Sequence, residues 1–339
     1  MTAPETRILV ENLGSIPAGR ILVAGFGPEA AEAFIERGDI VEVFHLNLRA
    51  HRACSVRGVP STFAPWAPGP PGYAAAAILL PKETERLRML LSMAAGLVSP
   101  GGVVLVAGHN DAGIRSAPRH IGDLIGPTDV VDFRHHCRLL SAVVAKPGEP
   151  SSLDAWRTTW STEARGRRFT AVGYPGVFAS GRLDAGSALL LENLLIRPEA
   201  RALDVGCGSG IVGAHLRAGG CLHVDCVDVD ALALESTRQT TLANGLDGIN
   251  VFASDVYSDA GSDYDLIVSN PPFHAGVRTA SEAAVRLIRE APDRLHRRGE
   301  LWIVANRFLD YARHLNEVFP TPEVIAEDTR YRVWRAPRP

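Results

Sequence analysis

Leu203-Asp204-Val205-Gly206-Cys207-Gly208-Ser209-Gly210 is the stretch on which the reading of this chain turns. The apolar run 201–205 reads as a strand, the residues from Ile211 onward read as a helix, and three glycines stand between them. Without a Cβ, glycine lets the chain turn tightly and lets backbone approach a ligand closely, so the loop is a cofactor cradle, with Asp204 counted as part of it. The same features occur in dinucleotide-binding folds, where an acid about 20 residues further on holds a ribose. Asp228, at the end of the next strand-like run 223–228, can take that role. On these two features alone a nicotinamide cofactor stays open.

Asn270-Pro271-Pro272-Phe273 decides against it. This tetrapeptide follows the strand-like run 265–269, which puts it at the C-terminal edge of a parallel sheet, where ligands bind. The asparagine amide oxygen and the next backbone carbonyl can accept the two hydrogens of a planar amine, and they stabilise positive charge as that nitrogen attacks a methyl group. Pro271 and Pro272 stiffen the loop, and Phe273 offers a face for a flipped base. An isolated Asn-Pro-Pro is better read as a turn. After a glycine loop and strand-end acids, in this order, catalysis is the better reading. Asp255, just past the run ending at Ala253, fits a third edge position, although a turn or helix cap is an equal reading of that residue by itself. His274 is assigned no role, because an amine that attacks a sulfonium methyl can lose its proton after transfer.

Working outward, alternating strand-like and helix-like runs continue on both sides: helix from Gly186 to about 195, helix 231–244, strand 250–253, helix 280–295 and strand 300–305. The first half repeats the theme with strand 20–24, helix 28–37, strand 40–45, strand 75–80, helix 82–96 and strand 102–108. Parallel strands need crossover helices, so both halves predict an α/β fold of Rossmann-like type. Ala24-Gly25-Phe26-Gly27-Pro28 is a worn glycine loop, and Pro81-Lys82 stands where the second half has its Asn-Pro-Pro. The expected organisation is a degenerate domain over 1–150, a linker with a short β excursion over 151–175, and a catalytic domain over 176–339.

A length of 339 residues suits two cores, and 46% hydrophobic against 22% charged residues excludes a disordered chain. The longest apolar runs are far shorter than the roughly 20 residues that span a bilayer, so a cytoplasmic protein without membrane contact is expected. The five cysteines have no metal-ligand spacing, and no metal is expected. Net charge is −3, which announces no nucleic-acid partner. Two basic clusters, Arg49, His51, Arg52, Arg57 and Arg134, His135, His136, Arg138, can line an RNA-facing surface, although scattered solvated side chains are the plainer reading.

The sequence resembles the ribosomal RNA small-subunit guanine-N2 methyltransferases, a two-domain group acting on 16S RNA with a sister group acting on 23S RNA. The resemblance covers nearly all of the second half: Pro175-Gly176-Val177-Phe178, Leu183-Asp184-Ala185-Gly186-Ser187, the glycine loop, Asn270 to His274, Gly299-Glu300-Leu301 and Val304-Ala305-Asn306. It is weaker in the first half, at Pro81-Lys82 and Gly113-Ile114-Arg115-Ser116. It implies two tandem class I methyltransferase domains, the first degenerate and devoted to RNA recognition or support. S-adenosylmethionine is the implied cofactor and ribosomal RNA, within the small subunit or its precursor, the implied partner; apart from the resemblance, a monomer is expected. Position by position, Gly206, Gly208 and Gly210 would line the methionine and ribose side, Asp228 the ribose and Asp255 the adenine edge. Gly186 and Ser187 would lie near the cofactor's carboxylate, and Asn270 with Phe273 would hold the guanine. Two other substrates use such a loop, adenine N6 and a protein glutamine amide. A different class, a non-catalytic RNA-binding assembly factor, would not need the intact glycines and Asn-Pro-Pro-Phe.

Overall fold

The computed structural model describes residues 2–146, 151–179, 181–271 and 278–338, with backbone alone for 278–281. Two compact units emerge, Met1–Arg157 and Thr158–Pro339.

The first unit opens with α1 (Pro4–Glu11) and then alternates through β1 (Arg20–Ala24), α2 (Pro28–Arg37), β2 (Ile40–His45), α3 (Leu48–Val56) and β3 (Ser61–Phe63). It continues with β4 (Tyr73–Leu79), α4 (Thr84–Leu97), β5 (Val98–His109), α5 (Ala117–Leu124), β6 (Thr128–Arg134) and β7 (Cys137–Val143). The sheet order is β3-β2-β1-β4-β5-β7-β6, parallel up to β5 and antiparallel from there. Helices on both faces make the central strands apolar throughout: Ile21 to Ala24 are at most 2% exposed. Ile21, Leu22 and Val23 each contribute roughly 1.5–3 kcal/mol by leaving water. The local signals agree with this packing. α2 begins with Pro28 in its first turn, where the missing N–H costs nothing, and stops at Gly38 in the left-handed region at φ 98°.

The second unit begins with an antiparallel hairpin, β8 (Thr158–Ala164) and β9 (Arg167–Gly173). Then come α6 (Ala185–Asn193), β10 (Arg201–Val205), α7 (Ile211–Ala218), β11 (His223–Asp228), α8 (Ala231–Ala243), β12 (Ile249–Ala253) and β13 (Tyr264–Ser269). The chain ends through α9 (Arg278–Arg294), β14 (Leu295–Asn306), α10 (Tyr311–Val318), β15 (Glu323–Glu327) and β16 (Tyr331–Pro337). The order β12-β11-β10-β13-β14-β16-β15 repeats that of the first sheet strand for strand.

The stretch 151–175, expected as a linker with a short β excursion, is mostly β structure. This is the β8–β9 hairpin, fastened to α8 of the second unit: Val172 N–H donates to Thr240 Oγ1 at 2.9 Å and Ser236 Oγ donates to the Val172 carbonyl at 2.6 Å. Asn244 takes both backbone groups of Thr170, at 2.9 and 2.7 Å, and so stands in for a neighbouring strand. Those side-chain partners are distant in sequence, which is why composition alone reads the segment as a connector.

Both sheets carry the same brace at the N-terminal ends of their strands. Arg20 Nε donates to Glu42 at 2.7 Å, Tyr73 hydroxyl donates to Glu42 at 2.8 Å, and the guanidinium lies 4.1 Å from the Tyr73 ring centre. In the second sheet Arg201 pairs with Asp225 at 3.5 Å, Tyr264 donates to Asp225 at 2.7 Å, and Arg201 lies 4.7 Å from the Tyr264 ring centre. Burial pushes both tyrosine hydroxyls up to about 12. The two basic clusters of the first half do not form a bare cationic surface. Arg57 meets Glu29 and Glu32, Arg134 meets Glu11 and Asp132, and His135 meets Glu11.

Candidate active site

The glycine loop joins β10 to α7 at the C-terminal edge of the second sheet, with Gly206, Gly208 and Gly210 all in the left-handed region at φ 76°, 53° and 79°. Two of these glycines answer different needs. A Cβ on Gly206 would point into open space, so the restriction there is backbone conformation beside an open cradle. A Cβ on Gly210 would sit 2.8 Å from Thr237 Cα, so Gly210 lets α8 approach the loop. Thr237 completes the support, its hydroxyl lying 3.1 Å from the Gly208 carbonyl, which accepts its proton.

Asp204 is turned away from the cradle. Only 2% exposed, it accepts the Gly213 N–H at 3.0 Å and ties the first turn of α7 to β10, and burial pushes its carboxyl up to about 7. Asp228, half-buried at the end of β11, accepts from Gly208 N–H at 3.2 Å and Asp230 N–H at 3.0 Å. Burial, then the neighbouring Asp230, push its carboxyl up to about 6. Asp255 follows β12 as expected, but one of its carboxylate oxygens meets Arg286 of α9 at 3.3 Å. Gly186 is explained by packing, since a Cβ there would lie 3.1 Å from the Tyr331 ring.

At the end of β13, beside these loops, stands Asn270. Its amide nitrogen donates to Asp184 Oδ2 at 3.0 Å and to Ser187 Oγ at 2.8 Å. Its amide oxygen is buried and has no partner among the described residues. Pro271 is buried next to it, whereas Pro272, Phe273 and His274 lie outside the described residues. Strand pairing brings Asn270 and the glycine loop together: β13 and β10 are adjacent and parallel, with Ser269 opposite Val205, and Ser269 Oγ donates to the Val205 carbonyl at 2.7 Å.

Three further residues, to which no sequence motif gives a role in the chemistry, support the site. Asp184 caps α6 by accepting the Ser187 N–H at 3.0 Å, and its spacing of three to Ser187 before a run of leucines is a legible cap signature. Phe178, 52% exposed, has its Cβ 3.9 Å from the position a Cβ on Gly208 would take. Thr237 has no sequence signal, because its importance depends on the helix packing. Among the described residues there is no cluster of metal-ligating side chains, and no helix is long and apolar enough to cross a membrane.

The arrangement fits S-adenosylmethionine. An open glycine cradle, a strand-end carboxylate for ribose hydroxyls and an unpartnered buried amide oxygen supply what such a ligand and an amine acceptor need. The class follows from two family models. The model described as methyltransferase small domain matches residues 168–335, and that described as methyltransferase small domain N-terminal matches residues 7–160. This is a methyltransferase of the tandem small-domain type.

The relatives narrow the class. The chain is 39% identical to ribosomal RNA small subunit methyltransferase C of Aeromonas hydrophila over 78% of each chain. It is 38% identical to the protein of the same name from Alcanivorax borkumensis, over 80% of this chain and 83% of that one. A solved structure titled T. thermophilus 16S rRNA N2 G1207 methyltransferase in complex with AdoMet and guanosine superposes with a TM-score of 0.87 at 26% identity, covering 99% of this chain and 92% of that one. The chain belongs to the ribosomal RNA small subunit methyltransferase C family.

Proposed function

We propose that this protein transfers a methyl group from S-adenosylmethionine to the exocyclic N2 amine of a guanine in 16S ribosomal RNA. The observation that carries this reading is the Asn270 amide, whose two hydrogens are spent on Asp184 and Ser187 and whose buried oxygen is left over as an acceptor. The relatives' names and the solved complex with AdoMet and guanosine support the choice of cofactor and base.

When bound, S-adenosylmethionine supplies an electrophilic methyl group on a sulfonium. Gly206, Gly208 and Gly210 would form its cradle, with Asp228 accepting from the ribose hydroxyls, Asp255 facing the adenine edge, and Gly186 and Ser187 near the carboxylate end. Asp204 serves the same site from behind, by holding α7 against β10. Asn270 Oδ1 accepts one N–H of the target amine, which orients the nitrogen lone pair and favours the positive charge that develops there. Pro271 and Pro272 would hold the acceptors in place, and Phe273 would stack on the base. Unstacking the guanine costs a few kcal/mol, which stacking and contacts elsewhere on the RNA offset. The first unit, which lacks the acids and the amide of the second, contributes RNA recognition or support, and the enzyme acts as a monomer on the small subunit or its precursor.

The test is transfer of labelled methyl from S-adenosylmethionine to total ribosomal RNA and ribosomal protein from cells lacking the gene, followed by nucleoside analysis. Label in N2-methylguanosine of 16S RNA is the expected result. Label in N6-methyladenosine or in protein would keep the class of enzyme and overturn the substrate.

A further inference from the structure

A buried asparagine amide has two orientations, half a turn apart, that differ little in shape; only its hydrogen-bond partners decide between them. At Asn270 the partners are Asp184 Oδ2 and Ser187 Oγ, and they are not equivalent. A serine hydroxyl both donates and accepts, so Ser187 satisfies either orientation. An ionised carboxylate accepts only. Reversing the amide would press Asn270 Oδ1 against Asp184 Oδ2, two acceptors with no proton between them, at a part-buried contact.

We propose that Asp184 is a positioning residue for the reaction: it fixes the polarity of the Asn270 amide, so that the oxygen and not the NH2 group is left to receive the target amine. The inference rests on the reading of Asn270 given under Proposed function and deepens it. Asp184 is itself held in register. Its Oδ2 also accepts the Ser187 N–H at 3.0 Å, and its backbone, at φ −66° and ψ 143°, is the non-helical N-cap of α6. One carboxylate oxygen therefore serves the helix end and the catalytic amide together. Its charge has a second effect, because an amide that donates to a carboxylate is polarised and its oxygen becomes a better acceptor. The pairing spans 86 residues of sequence, and neither the glycine loop nor the Asn-Pro-Pro stretch announces it.

Asp184→Ser separates the two duties. Serine caps a helix about as well as aspartate, yet its hydroxyl can also donate, so the amide is no longer forced one way. We expect kcat for methyl transfer to RNA to fall about tenfold or more, with KM for RNA and the dissociation constant for S-adenosylmethionine each within about twofold and the melting midpoint little changed. Asp184→Asn can keep an acceptor oxygen in the same place and should recover most of the lost turnover. An activity-independent readout is the side-chain NH2 signal of Asn270 in 15N-labelled protein, assigned by its disappearance in Asn270→Ala. Both hydrogens should exchange slowly with solvent in the wild type and faster in Asp184→Ser.

Wild-type kcat in Asp184→Ser, alongside lost turnover in Asn270→Ala, would overturn the role of Asp184 while leaving that of Asn270. Full turnover in Asn270→Ala would instead overturn the reading of Asn270. If Asp184→Ser does not fold, the wild-type amide signal still decides, since exchange as fast as that of a solvent-exposed asparagine would rule the proposed restraint out.

Discussion

The two sheets of this protein have the same strand order and the same brace at one end, and differ at the other. At the N-terminal strand ends an arginine, an acid and a tyrosine recur in register: Arg20, Glu42 and Tyr73 against Arg201, Asp225 and Tyr264. At the C-terminal ends the chemistry is present once. With the strands aligned on Arg20 and Arg201, Val23 stands opposite Asp204, His45 opposite Asp228, Pro65 opposite Asp255 and Leu79 opposite Asn270. The turn itself survives. Gly25 N–H reaches the Phe44 carbonyl at 3.0 Å as Gly206 N–H reaches that of Val227 at 2.8 Å, and both glycines have positive φ. Yet a Cβ on Gly25 would touch Leu79 at 3.4 Å, where the one on Gly206 would meet open space. The two ends of one fold are separable: the brace keeps its three kinds of side chain in both units, with Glu42 in one and Asp225 in the other, while the ligand end of the first unit is filled by the apolar Leu79.

The sharpest way to break this comparison is at the amide present in one unit alone. Asn270→Ala should lower turnover by about two orders of magnitude or more, the usual loss for a preorganised group at a developing charge. Cofactor affinity, followed by calorimetry, should stay within about twofold; retained turnover would leave the two sheet edges chemically equivalent.

A smaller effect is expected from Gly206→Ala, set beside Gly25→Ala. Each forces an alanine to positive φ, at a cost of roughly 1–2 kcal/mol in stability. Only the first should also weaken S-adenosylmethionine binding, by about tenfold, because the new methyl occupies the open cradle. Equal losses of affinity in the two variants would show that the worn loop still contributes.

The mildest effect is electrostatic. Asp228 has its carboxyl raised to about 6, so it is ionised at neutral pH and takes up a proton as the solution is acidified through that value. Protonation replaces an acceptor with a donor and weakens the grip on ribose hydroxyls, so affinity should fall about fourfold between pH 7.5 and 5.5 if only the ionised form binds. Asp228→Asn should bind more weakly at pH 7.5 and lose that slope. At the same register in the first sheet, burial pushes His45 down to about 4, so this residue is neutral across the same window and contributes no slope.

Much of the frame was legible beforehand. β1, α2, β2, β10 and β11 fall where the hydrophobic runs place them, because parallel strands covered on both faces leave uninterrupted apolar stretches and helices carry their own caps. The antiparallel pairs β6–β7 and β15–β16 were not legible. β6 and β15 lie at the sheet edges, with Val130, Phe133 and Val324 between 43% and 58% exposed, so no burial pattern marks them, and their inner partners β7 and β16 bury residues without a clean alternation. α1 and α10 are eight residues each, about two turns, so a 3.6-residue period barely shows, and no glycine loop announces them as it does α7.

By itself, the sequence determined the class of fold, the doubling of the chain, the cofactor loop and the strand-end residues Asp228 and Asn270, because these follow from local patterns read along one strand and the turn after it. Tertiary structure alone decided what each of those residues does. It turned Asp204 inward to Gly213, set Gly186 against Tyr331, gave Asp255 an arginine partner and joined Asn270 to Asp184. Each of these is a contact between elements far apart in the chain, and the direction of a side chain at the end of a strand is fixed by whatever packs beside it.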